Sequence, residues 1–263
     1  GSRERFNHAC FEFQMMKAIG VTRDGDEPEL LDVERPEPAE GEALVRTLRV
    51  GVDGTDHEVI SGAHGGYPEG AEHMILGHEA VGVVEDGNGS GLEAGQVVVP
   101  TVRRKPDGET NDYFRRGEPD MAPEGEYIER GIVGGHGFMA EYFTSPADNL
   151  VPLPEDLAEY GMLVEPVSIA EKANEHAFGT REPFEWRPES ACVLGNGSLG
   201  LLTLWMLDQQ FDRTYCLGRR DRPDPTLDVV DGVGATYIDS RETPVEEIPD
   251  DYEAMDYVFE ATG

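Results

Sequence analysis

The chain has 263 residues and a hydrophobic fraction of 38%, enough for one large domain or two smaller ones. Its 54 acidic residues against 21 basic ones give a formal net charge of −33. That balance leaves no basic stripe for phosphates and excludes a nucleic-acid partner. The acids are dispersed, and apolar runs such as Ala80 to Val84 recur between turn signals, so the charge does not mark a disordered acidic tail. There are only three lysines, Lys17, Lys105 and Lys172. Few lysines and many scattered carboxylates predict a surface adapted to high salt, where screening relieves self-repulsion.

Three widely spaced cysteines, Cys10, Cys192 and Cys216, form neither a disulfide framework nor a metal knot. This composition points to a reducing, cytoplasmic setting. No apolar run approaches a membrane span, and no secretory h-region is present.

In chain order, residues 1–15 have no period and are set aside as an extension outside the fold. A first strand is predicted from Met16-Lys17-Ala18-Ile19. From there to about Pro154 short β segments are cut by Gly and Pro, among them Ala43 to Val50, Ala80 to Val84 and Val97 to Val99. This texture predicts a compact, barrel-like β region. Long polar loops interrupt it, notably Pro106 to Gly125.

After Leu163 the texture changes. Helical spacing runs from Val167 to Ala177. A strand (Ala191 to Leu194), a glycine loop (Gly195 to Gly200) and a helix (Leu201 to Leu207) follow. Further strands are predicted at Thr214 to Leu217, Ala235 to Ile238 and Tyr257 to Glu260. Strands alternating with helices imply a doubly wound parallel sheet, giving a second domain over 181–263 after a first over 16–180. A dinucleotide fold uses two three-strand halves, so this one is expected to be incomplete at its C-terminal end.

Gly195-Asn196-Gly197-Ser198-Leu199-Gly200 is a GxGxxG between a strand and a helix. Gly195 makes the tight turn, Gly197 lets the backbone approach a pyrophosphate, and Gly200 permits close helix–strand packing. The helix start then offers N–H groups to the anion. An NAD site expects an acid at the end of the next strand, to hold the ribose hydroxyls. Here the strand ends in Gly218-Arg219-Arg220, and arginine pairs well with a 2′-phosphate. NADP is therefore the predicted cofactor, with NAD as an alternative. A plain solvated turn, balanced by Asp221 and Asp224, is the bland reading of the same residues.

Three further motifs precede the glycine loop: Gly51-Val52-Asp53-Gly54-Thr55-Asp56-His57-Glu58, Gly77-His78-Glu79, and Leu163-Val164-Glu165-Pro166. Each alone is unspecific, since a His beside a Glu is usually ordinary surface. In this order, ahead of a dinucleotide fold, they resemble the zinc-dependent medium-chain dehydrogenases over nearly all of 16–263. The resemblance implies a GroES-like catalytic domain followed by a Rossmann domain. It also implies one catalytic zinc on Asp53, His78 and Glu165, with Glu79 as a transient ligand.

Aspartate replaces the family's usual Cys at the first ligand, which an oxygen ligand allows. Thr55 stands where the family places the proton-transfer hydroxyl. The relay histidine's usual position is taken by Glu58, with His57 beside it. The segment from Arg103 to Gly125 lacks the four cysteines of a structural zinc lobe, so none is expected.

Finer matches point to the haloarchaeal glucose dehydrogenase branch. They are Pro100-Thr101-Val102-Arg103-Arg104, Tyr127-Ile128-Glu129-Arg130-Gly131 and Gly135-His136-Gly137-Phe138-Met139. The branch implies a sugar substrate, with Thr55, Glu79, Glu129 and Glu165 meeting its hydroxyls. It implies a dimer or tetramer for the whole protein. On composition alone, Glu129 is one more solvated carboxylate. The rival readings are a zinc alcohol or polyol dehydrogenase, and a zinc-free quinone-reductase-like or non-catalytic relative.

Overall fold

A computed structural model describes residues 14–106 and 111–262. The chain forms two compact units, Gly1–Glu165 and Pro166–Gly263. Most of the segment set aside in the sequence, residues 1–13, lies outside the described residues.

The first unit runs β1 (Met15–Thr22), β2 (Glu29–Glu34), β3 (Glu42–Val50), α1 (Gly54–Ser61), β4 (His73–Ile75), β5 (Ala80–Asp86) and β6 (Val97–Pro100). It continues through β7 (Arg103–Arg104), α2 (Asp112–Arg116), β8 (Ile128–Arg130), β9 (Gly134–Gly135), β10 (Tyr142–Pro146) and β11 (Leu150–Leu153). The strands make a three-stranded sheet β2-β1-β4, a five-stranded sheet β10-β3-β5-β6-β11 and a small sheet β7-β8-β9. The two larger sheets are antiparallel throughout.

Alternation explains β1, where Met16 and Ala18 are buried while Met15, Lys17 and Ile19 face out. The five-stranded sheet closes over Ala43, Val45, Ala80, Val84, Val98, Phe138, Phe143 and Leu150. Phe138 and Phe143 meet there at 4.7 Å between ring centroids.

The polar stretch expected as a loop from Pro106 to Gly125 contains the short helix α2. Asn111 starts it by accepting the N–H groups of Tyr113 and Phe114, and Gly117 ends it at φ 76°. These signals are local, but they are hard to separate from ordinary turn residues in a Gly- and Asp-rich run.

The second unit is built from α3 (Val164–Arg181), whose first turn holds Glu165 and whose body belongs here, then β12 (Ser190–Leu194) and α4 (Ser198–Asp208). It goes on through β13 (Arg213–Gly218), α5 (Pro225–Val233), β14 (Thr236–Asp239), α6 (Ile248–Asp251) and β15 (Tyr257–Glu260). The sheet order is β14-β13-β12-β15, all parallel. Numbered within this unit, that is 3-2-1-4, the order of a dinucleotide-binding sheet.

Its central strands β12 and β13 are buried on both faces, as parallel strands covered by helices must be, while β14 and β15 are partly exposed. Val193 and Cys216 join Leu204, Leu207 and Val230 in one core, while Cys192, Tyr215 and Leu217 join Ile248 in another. Both Cys192 and Cys216 are free and buried.

Candidate active site

The chemistry of the first unit gathers where β3 and β5 meet. Val50 and Ala80 are register partners, and the pairing extends one step further, since Gly51 N–H donates to the Glu79 carbonyl at 2.7 Å. The residue after each strand end therefore arrives at one place: Asp53 leaves β3 as His78 and Glu79 enter β5. The Glu79 side chain packs closely over Gly51. A Cβ there would lie 2.1 Å from a Glu79 carboxylate oxygen. Glu165 reaches the same place from the first turn of α3, after the turn Gly161–Leu163, which packs on Val81 of β5.

Asp53 is also the N-cap of α1. Its side chain accepts the Asp56 N–H at 3.2 Å, and Asp56 returns a bond by accepting the Asp53 N–H at 3.2 Å. The other Asp56 oxygen accepts the Gly77 N–H at 3.2 Å. Asp56 is thus a buried brace between the start of α1 and the turn that carries His78. Sequence reasoning passed it over. Its signal was the spacing Asp53-x-x-Asp56, an acidic form of the capping box.

The ligand atoms of His78, Glu79 and Glu165 lie within 4.8 Å of one another, and so do those of Asp53, Asp56 and His78. His78 is common to both groups. Its Nε2 stands 3.8 Å from Asp53 Oδ2. Its Nδ1 is buried with no hydrogen-bond partner.

The electrostatics are those of a cluster short of positive charge. Burial, then the Asp53 charge, pushes the Glu79 carboxyl up to about 7, against the attraction of His78. Burial likewise raises Glu165, with Asp53 and Glu129 adding to it. Asp56 is raised mainly by burial. Crowded carboxylates around the buried His78 imidazole, Glu79 buried and Asp53 and Glu165 half-buried, are what a divalent cation would stabilise, and the donor set of one N and several O atoms suits zinc. Both Asp56 oxygens hold backbone N–H groups, and both Asp53 oxygens also accept hydrogen bonds, from the Asp56 N–H and the Thr55 hydroxyl.

Thr55 Oγ donates to Asp53 Oδ2 at 3.0 Å, so the expected proton-transfer hydroxyl abuts the cluster. His57 and Glu58 are exposed on α1. Glu129 is not a solvated surface acid, for its side chain is only 14% exposed. Arg103 holds its Oε1 through Nε at 2.9 Å and Nη2 at 2.8 Å, and stacks on Tyr127 at 3.9 Å. The pairing follows from register, Arg103 of β7 facing Glu129 of β8. Sequence inspection named both segments without linking the two residues.

In the second unit the glycine loop has the shape its motif requires. Gly195 adopts φ 108°, and a Cβ there would lie 2.6 Å from the Ala261 carbonyl oxygen. A Cβ on Gly200 would lie 2.1 Å from the Gly195 carbonyl oxygen, whereas one on Gly197 would meet nothing within 4 Å. The outer two glycines are thus packing requirements, and the middle one faces open space where a pyrophosphate can approach. Gly197 caps α4 without a side-chain bond, which leaves the first N–H groups of α4 for an anion.

Asn196 points inward and donates to Thr226 Oγ1 at 2.7 Å, tying the loop to the start of α5. Ser198 is exposed and Leu199 half-buried. The loop sits beside β12 and β15, where the strand order reverses and such folds take their nucleotides. Arg219 and Arg220 are exposed just beyond β13.

Residues 39–155 match the family described as "Alcohol dehydrogenase GroES-like domain", and residues 158–263 match "Glucose dehydrogenase C-terminus". Glucose 1-dehydrogenase of Haloarcula marismortui is 79% identical over 248 residues, covering 94% of this chain and 70% of that protein. That of Haloferax mediterranei is 63% identical over 251 residues, covering 94% of this chain and 70% of its own length. A solved structure, the Haloferax mediterranei glucose dehydrogenase in complex with NADP, Zn and gluconolactone, superposes with a TM-score of 0.90 at 63% identity. It aligns with 94% of this chain and 70% of its own. Identity of this order over more than two thirds of the relatives' length places the chain in the glucose dehydrogenase branch of the zinc-dependent medium-chain dehydrogenase family.

Proposed function

We propose that this protein oxidises D-glucose at C1 to D-glucono-1,5-lactone, reducing NADP to NADPH and releasing one proton. The observation that carries this reading is the convergence of Asp53, His78, Glu79 and Glu165, with His78 Nε2 3.8 Å from Asp53 Oδ2. Asp53, His78 and Glu165 would hold one zinc ion, with Glu79 beside them as an exchanging ligand. Bound there, zinc polarises the C1 oxygen and stabilises the charge that develops on it. NADP, held at its pyrophosphate by residues Gly195, Asn196, Gly197, Ser198, Leu199 and Gly200, supplies the hydride acceptor.

The remaining work falls to side chains. Thr55 relays the proton of the C1 hydroxyl, its own hydroxyl already aligned on Asp53. Glu79, Glu129 and Glu165 accept sugar hydroxyls, and Arg103 holds Glu129 in one rotamer with its second oxygen left for substrate. A polyol needs such fixed acceptors, since each unpaired buried hydroxyl is costly. Arg219 and Arg220 take the 2′-phosphate of NADP. By function we place the catalytic domain at 16–180, so that α3 goes with the site that Glu165 joins, and the nucleotide domain at 181–263, whereas the compact units divide after Glu165. The whole protein acts in a salt-rich cytoplasm as a dimer or tetramer. Among the described residues, no helix is long and apolar enough to cross a membrane.

The test is a panel of initial rates on the whole protein with glucose, galactose, xylose and ethanol, each with NADP and with NAD, at molar KCl. Glucose with NADP should be fastest. Ethanol as the best substrate would replace this reading with a zinc alcohol dehydrogenase. Gel filtration in the same salt reads the assembly, and a monomer would overturn that part.

A further inference from the structure

The arginine pair after β13 lies in acidic surroundings. Asp221 follows it directly, Asp224 comes three residues later, and β14 ends alongside at Asp239, the register partner of Gly218. Left alone, these three carboxylates would offset the two guanidinium charges and repel a phosphate dianion. None of them is left alone.

Asp224 caps α5, accepting the Thr226 N–H at 2.9 Å and the Thr226 hydroxyl at 2.6 Å. Asp221 and Asp239 are both gripped by Arg241. Its Nη1 and Nη2 reach Asp221 at 3.1 and 2.7 Å, and its Nε and Nη2 reach Asp239 at 2.9 and 2.5 Å. The grip draws both carboxyls below their ordinary values, Asp239 to about 2.

The same end of β14 holds the arginine pair in place. Ser240 Oγ accepts Arg219 Nε at 3.3 Å, the Ser240 N–H donates to the Gly218 carbonyl at 3.0 Å, and Tyr237 Oη accepts the Arg220 N–H at 2.7 Å. Among the described residues, no carboxylate forms an ion pair with Arg219 or Arg220. The next arginines along this end of the sheet, Arg222 and Arg241, are both engaged with acids. The pair thus makes no ion pair among the described residues, Arg220 acting on Asp224 only through space, while its neighbours are matched.

We propose that Arg241 is a specificity-determining positioning residue for the nucleotide: by holding Asp221 and Asp239 in ion pairs, it leaves the charge of Arg219 and Arg220 available to a 2′-phosphate. Arg241 acts through the two acids and not on the nucleotide, since its Nε, Nη1 and Nη2 are all committed to them. Replacing it by a neutral residue shifts the local charge by one unit and releases two carboxylates at the rim of the phosphate site. The inference rests on the reading that Arg219 and Arg220 take the 2′-phosphate.

The test compares 2′,5′-ADP with 5′-AMP, which differ only in the 2′-phosphate, by calorimetric titration of the whole protein at one KCl concentration that maintains the fold. The wild type should prefer 2′,5′-ADP. Arg241→Gln should cut that preference about three- to tenfold, with 5′-AMP binding unchanged, as expected for one charge acting through partly screening solvent. Adding Asp221→Asn and Asp239→Asn to Arg241→Gln should restore the preference, because the acids to be masked are gone.

An unchanged preference in Arg241→Gln overturns the proposal. So does failure of the triple variant to recover, which would mean that Arg241 touches the phosphate itself. If Arg241→Gln does not fold, Asp221→Asn/Asp239→Asn with Arg241 intact decides. It should bind 2′,5′-ADP at least as tightly as wild type, and weaker binding overturns the idea. A wild type indifferent to the 2′-phosphate would instead remove the reading of Arg219 and Arg220 on which the proposal rests.

Discussion

The two units handle charge in opposite ways. In the first, the charges proposed to act are the carboxylates of Asp53, Glu79 and Glu165 around the buried His78, half-buried except Glu79, and burial raises the Glu79 and Glu165 carboxyls. In the second, the charges proposed to act are exposed arginines next to one another in sequence, and the nearby Asp221, Asp224 and Asp239 hold hydrogen bonds to Arg241 and Thr226. The first site is a low-dielectric cluster that a cation would complete. The second is a screened surface whose selectivity depends on which neighbours are already paired. A buried cluster should therefore respond sharply to loss of one member, and an exposed one more gradually to charge and salt.

The sharpest way to break this contrast is His78→Ala. It removes the residue common to both ligand groups. Zinc content of the purified variant should fall to background, and glucose oxidation by ~10³-fold or more, several kcal/mol of lost charge stabilisation. Metal analysis beside a rate assay reads both, and full zinc occupancy would remove the assignment.

Next in size is the exposed pair. Arg219→Gln with Arg220→Gln should raise the NADP dissociation constant by ~10- to 100-fold while leaving NAD nearly unchanged, since a charged hydrogen bond contributes on the order of 1.5–3 kcal/mol. Titration of NADPH and NADH by fluorescence separates the two, and equal weakening would count against a phosphate role.

Salt tests the surface as a whole. With a net charge of −33, the thermal midpoint should climb by about 10 °C or more from low to molar KCl. A melting curve that stays put would refute salt adaptation.

The smallest effect belongs to a half-buried histidine of the first unit. His136 stacks on His73 at 5.0 Å, and its Nδ1 accepts the Ile75 N–H at 3.2 Å. Burial, then the nearby His73 and Arg130, holds it down to about 4. An unfolded histidine takes its proton near 6.5. Between those values the unfolded chain binds more protons than the folded one, so stability falls as pH drops from about 6.5 to about 4 and levels below. His136→Gln should flatten that part of a urea-stability profile, and an unaltered slope would assign the acid sensitivity to other groups.

How much of this was legible beforehand differs between the two sites for a physical reason. The glycine loop and the arginine pair are local. Each is a contiguous run of residues, and the steric rule for Gly200 against the Gly195 carbonyl acts over one turn, so sequence alone determined their placement between strand and helix, although Gly195 also packs against the distant Ala261. Sequence also determined the alternating strand–helix texture of the second unit and the dispersed acidic surface.

The buried cluster is a different case. Its motifs lie far apart, and inspection could only order them by resemblance. The register of β3 on β5 brings Asp53 to His78, and the turn before α3 adds Glu165. The work of Asp56 and the pairing of Arg103 with Glu129 were equally beyond sequence, as was the hold of Arg241 on two acids. Each depends on distances between segments of 20 residues or more, or on which of several equivalent charges wins a partner. Such choices are settled by burial and by competition for hydrogen bonds, which exist only once the chain has folded.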